Sequence, residues 1–115
     1  MSYLGIIILD FLTTNFKRDY DIAVLLLSKY KNICGYGEDE ELFAFQDPAR
    51  SAGWNFSKLV ISGQFVEKIY EINHAEIDKS KGKRFPDKFV SWLSIKLKTE
   101  GCQAQIKLST EMKNI

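Results

Sequence analysis

From residue 3 to residue 12 the chain reads Tyr-Leu-Gly-Ile-Ile-Ile-Leu-Asp-Phe-Leu, and two periods compete for it. Leu4, Ile7, Ile8, Phe11 and Leu12 fall on the i, i+3, i+4 stripe of a helix. Three successive isoleucines, stiff at χ1, suit a strand buried on both faces equally well, and Gly5 weakens a helix there. No tight-turn signal separates this segment from the next, so the expectation is a short first helix.

From Asp19 the period is plainly helical, with Tyr20, Ala23, Val24, Leu27 and Tyr30 on one stripe. Asp19 or Asp21 can accept the orphan amides of a first turn. Lys29 and Lys31 suit the negative end of the helix dipole, and Gly35 can take the left-handed stop. The spacing predicts a helix over 19–32.

After Gly37 the period shortens to two. Residues 42–45 (Leu-Phe-Ala-Phe) predict a strand that Asp47-Pro48 should stop, followed by a loop over 49–53. Residues 56–62 and 65–77 predict two further strands, joined as a hairpin through Ser62-Gly63-Gln64 with Gly63 at positive φ. The stretch 78–87, with Gly82 and Pro86, is too polar for core. Leu93, Ile95 and Leu97 then alternate with Ser94, Lys96 and Lys98, as do Ala104, Ile106 and Leu108 with Gln105, Lys107 and Ser109. Joined through residues 99–102, these runs predict a hairpin with one apolar face and one wet face bearing Lys96, Lys98 and Lys107.

Helical material first and hairpin-linked strands afterwards predict an α+β fold. One or two N-terminal helices are expected on one face of a four- to five-stranded antiparallel meander sheet. The 115 residues suit a single domain spanning 1–115 and bury enough apolar surface to need neither metal nor disulfide. Cys34 and Cys102 fit no zinc or redox spacing and read as reduced core thiols of a cytoplasmic protein. Residues 3–12 have no preceding basic residue or following small-residue cleavage site, and are too short to span a bilayer; no membrane partner is expected.

Reactive groups are sparse. His74, the one histidine, lies in a segment read as strand, without the second histidine or cysteine cluster that zinc needs. No G-x-S-x-G, Walker or dinucleotide glycine pattern occurs, and Gly35-Tyr36-Gly37 follows a helix instead of opening one. Asp10, after four aliphatic residues, resembles a metal-ligating strand end, with Asp19 and Asp21 as its nearest acidic helpers. Its structural alternative is a surface acid paired with Lys17 or Arg18. No enzyme activity, metal or cofactor is expected.

Charge changes the picture more than chemistry does. The net charge of +1 argues against a DNA-coating protein. Yet residues 1–57 carry five basic and eight acidic side chains, net −3, and residues 58–115 carry eleven and seven, net +4. Glu38, Asp39, Glu40, Glu41 and Asp47, flanked by Tyr36 and Trp54, form a candidate acidic docking surface for a basic protein. The function expected is therefore a non-catalytic protein-binding module, most concretely an immunity or antitoxin-type inhibitor covering the basic site of a toxin such as a nuclease. One alternative is nucleic-acid binding through Lys79, Lys81, Lys83 and Arg84 with the sheet lysines. Another is a small ligand-binding or enzymatic α+β domain with a pocket between helix and sheet, where Asp10 and His74 would meet.

Overall fold

The computed structural model describes residues 5–109, so Tyr3 and Leu4 of the first apolar segment lie outside the described residues. That segment forms a strand, β1 (Ile7–Thr13), and not the expected helix. Ile7, Leu9, Phe11 and Thr13 are buried, while Ile8, Asp10 and Leu12 stay partly open on the opposite face. The strand is central, paired antiparallel on both sides, and its β-branched run packs well there.

Helix α1 (Phe16–Ile33) contains the expected 19–32 span and begins earlier, because the side chain of Asn15 caps it by accepting the Arg18 amide at 3.3 Å. It ends as expected at Gly35, where φ is +86°. The Tyr36 amide donates to the Lys31 carbonyl and the Gly35 amide to that of Asn32, which closes the last turn.

Strands β2 (Phe43–Ser51) and β3 (Trp54–Ile61) form a hairpin. Strand β2 continues through Asp47-Pro48 instead of stopping, and residues 49–51 are strand instead of loop. The register slips between Gln46 and Ala49, a bulge on an edge strand where a proline removes no needed donor. The turn is Ala52-Gly53, both at positive φ.

The largest departures follow. Residues 65–77, read as strand, belong to helix α2 (Gly63–Asp78). Gly63 is its first residue and not a hairpin turn, and the Ser62 hydroxyl caps it by accepting the Phe65 amide at 3.3 Å. Residues 93–98, also read as strand, belong to helix α3 (Phe85–Thr99), which Pro86 helps to open. Gly101, at φ +93°, ends this helix, and the chain enters β4 (Gln105–Leu108), the one strand of the expected last hairpin that forms.

The class is α+β, with three helices and a four-stranded antiparallel sheet in the order β2-β3-β1-β4. Apart from the β2–β3 hairpin the connections are crossovers and not a meander: β3 lies between β1 and β2, and β1 lies between β3 and β4. These are two interleaved split βαβ units. One apolar cluster joins Ile7, Leu9 and Phe11 to Leu59, Ile61 and Leu108 of the sheet, and to Leu27, Phe65, Ile69, Phe89, Leu93 and Leu97 of the helices. Phe11 packs edge-on against Phe16 of α1, ring centroids 6.3 Å apart, and Phe43 stacks on Phe65 of α2 at the same separation. All three helices thus feed the core on one side of the sheet, and the other side is left as a surface.

Candidate interaction surface

Strand register assigns most of that second side. One row across the sheet is Ala49, Phe56, Leu12 and Gln105; the next is Gln46, Lys58, Asp10 and Lys107. A third row is Ala44, Val60 and Ile8, with Ser109 donating its amide to the Ile8 carbonyl at 2.9 Å. The central strands β1 and β3 supply Ile8, Leu12, Phe56 and Val60, and the edge strands supply mainly small or polar residues. Phe56 and Trp54 are each 37% exposed and Ile6, just before β1, is 48% exposed.

One ion pair crosses the middle of this face. Lys58 Nζ lies 2.9 Å from Asp10 Oδ1 and 3.1 Å from Ser109 Oγ. Asp10 is therefore neither on a helix nor paired with Lys17 or Arg18. Asp10, Leu12, Phe56, Lys58 and Lys107 line a shallow depression of about 280 Å³, open to solvent.

The acidic residues Glu38, Asp39, Glu40 and Glu41 are exposed in the loop between α1 and β2. The backbone of that loop is tied down: Lys31 Nζ donates to the carbonyls of Glu38 at 3.3 Å and Glu40 at 2.6 Å, and the Gly37 amide donates to the Glu40 carboxylate at 2.9 Å. Tyr36 stays with this loop, its hydroxyl donating to the Gln64 carbonyl and its ring edge-on to Phe65. Trp54 does not: it stands past the far end of β2, roughly 27 Å away at about 3.3 Å per residue. Asp47 lies at the bulge of β2, between the two.

Lys79, Lys81, Lys83 and Arg84 are exposed in the connection between α2 and α3, and Arg84 reaches Asp87 at 3.8 Å. Lys81 shares a depression with Lys107 beside β4. Lys96 and Lys98 leave the sheet face altogether, because α3 is a helix; Lys96 pairs with Glu76 at 3.0 Å.

The reactive candidates are dispersed. His74 is exposed on α2, against Tyr70, whereas Asp10 faces away from the helices, so the pocket that would unite them does not form. Asp19 is fully buried in a hydrogen-bonded knot, and Asp21 pairs with Lys17 at the surface. No group of three or more histidine, cysteine, aspartate or glutamate side chains able to hold a metal occurs among the described residues. Both cysteines are free, and burial pushes both thiols up, which leaves them poor nucleophiles. Burial likewise raises the phenols of Tyr30 and Tyr36. No helix among the described residues is long and apolar enough to cross a membrane.

Sequence reading expected an open, wet face bearing lysines, of which Lys107 is there, and missed its apolar residues because Ile8, Leu12, Phe56 and Val60 look like core at the level of composition. The signal was present in β1: Asp10 among aliphatic residues marks the side that is not sealed. Compared with known proteins, the chain matches no family model, no curated protein and no solved structure.

Proposed function

We propose that this chain is a non-catalytic protein-binding module that docks through the open face of its sheet. The observation that carries this is the two apolar pairs, Ile8 with Val60 and Leu12 with Phe56, that flank the Asp10–Lys58 ion pair on a face that none of the three helices covers. Apolar side chains gathered on one uncovered face, with few charges among them and polar residues at the edges, mark a protein interaction site. The test uses the full chain as bait in extract of its source cells. Wild type retains a stoichiometric protein that the double variant Leu12→Glu, Phe56→Glu loses, while Lys98→Glu retains it. Equal retention by the face variant, with its melting temperature unchanged, sinks the reading.

A second reading rests on the loop of residues 38–41. Its backbone is anchored while the carboxylates of Glu38, Asp39 and Glu41 point to solvent, so they meet a basic partner with little ordering cost. That favours an immunity or antitoxin-type inhibitor of a basic toxin. Charge reversal at Glu38, Asp39 and Glu41 then abolishes partner capture with almost no change in melting temperature; unaltered capture removes this surface from consideration.

A further inference from the structure

We infer that the occupant of the open sheet face is a second copy of this chain, related by a two-fold axis. This rests on the face being a docking surface and names its partner.

Charge selects the partner. Among the described residues, the middle row carries one acid, Asp10, between two bases, Lys58 at 2.9 Å and Lys107 in register on β4. A strongly basic protein finds one carboxylate among the described residues of this row, and an acidic one meets a Lys58 ammonium already engaged. Under a two-fold, each Asp10 faces the partner copy's lysine and each Lys58 the partner copy's aspartate, so the face complements its own image. A nucleic acid needs several cations along a track and successive stacking rings. This face offers Lys58 held by Asp10, Lys107 on the edge strand, and Phe56 with Trp54 at one end.

Shape agrees with charge. Four strands about 4.8 Å apart, three of seven to nine residues and β4 of four, span on the order of 450 Å². Two copies packed face to face bury on the order of 900 Å², at the low end for a specific interface, so weak association in the micromolar range is expected. Ile8 and Val60 on one side, and Leu12 and Phe56 on the other, shield the central ion pair from water. Gln46, Gln105 and Lys107 on the edge strands remain wet, the lysine reaching outward to water.

The experiment is sedimentation equilibrium on the full chain from about 1 µM to about 1 mM, the range that brackets micromolar affinity. Wild type shifts with concentration from 13.3 kDa to twice that mass. Asp10→Lys alone and Lys58→Asp alone each weaken the dimer at least about tenfold, because like charges then meet across the axis. Mixing the two single variants restores a dimer, since one face is now doubly basic and the other doubly acidic; a role confined to each fold does not predict that rescue. A wild-type chain monomeric throughout overturns the inference, whether residues 110–115 or an added oligonucleotide then proves to occupy the face. Failure of the mixed variants to associate overturns it as well. A monomeric chain whose bait still captures a different protein, lost on Leu12→Glu, Phe56→Glu, overturns self-association and leaves the proposed function standing.

Discussion

The carboxylate of Asp19 accepts the backbone amide of Gln103 at 3.1 Å, across a sequence separation of 84. The same carboxylate accepts the Thr13 hydroxyl and the Arg18 guanidinium, the latter at 2.9 Å. One fully buried side chain thus ties the end of β1 and the first turn of α1 to the segment that leads α3 into β4. Asp19→Ala leaves the Thr13 hydroxyl and the Gln103 amide without their acceptor inside the protein. It is expected to cost about 3 kcal/mol, read as a lowered urea midpoint with unchanged slope. A loss below about 1 kcal/mol contradicts this role.

The same knot sets an acid limb. Burial opposes ionisation of Asp19, yet the hydrogen bonds from Arg18, Thr13 and Gln103 outweigh it and hold the carboxyl below its usual range. A depressed folded-state pKa stabilises fully above the unfolded value of about 3.9, and that contribution fades as pH falls through the folded one. Urea midpoints should therefore drop from about pH 4 downward, and Asp19→Asn should flatten that drop. An equally steep drop in the variant assigns the acid sensitivity elsewhere.

Trp92 reports a second carboxylate. Its indole N–H donates to Glu76 at 3.0 Å, and Lys96 meets the same oxygen from 3.0 Å, so Glu76 is held below the ordinary glutamate range. In a Trp54→Phe background Trp92 is the sole tryptophan. Its emission should then change with a midpoint below about pH 4.3. Glu76→Gln should remove that transition; its persistence would show that the indole senses another group.

The β2–β3 turn carries a residue in an uncomfortable conformation. Ala52 sits at φ +50° and Gly53 at φ +83°, the pairing that favours Asn-Gly in two-residue hairpins. Ala52→Asn is expected to raise stability by about 0.5 kcal/mol and Gly53→Ala to lower it by about 1 kcal/mol. Thermal melts of the two variants that move in the same direction would contradict the turn geometry.

Where the expectation failed, the window was too short. Over residues 93–98, Leu93, Ile95 and Leu97 alternate as in a strand, but Ile95 is 60% exposed. Over the whole of α3 the buried positions are Phe89, Val90, Trp92, Leu93 and Leu97, a helical set. In α2 the buried set is Phe65, Val66, Ile69 and Ile77, while Ile72, inside the segment read as strand, is 51% exposed. Ser62-Gly63 reads as a turn because a serine that opens a turn and one that caps a helix look alike until the following residues choose.

Local chemistry alone determined α1, its stop at Gly35, the strand nature of 56–61 and 105–108, the α+β class and the exposed acidic loop, since periodicity and turn residues act over a few neighbours. The open face and the central position of β1 were decided by tertiary structure, as were the pairs Asp10–Lys58 and Asp19–Gln103. Each depends on which distant strands become neighbours and on the side to which the helices cross. That choice is made by burying Leu9, Phe11, Leu59 and Leu93 together, and a linear pattern does not say which of two apolar faces will be sealed.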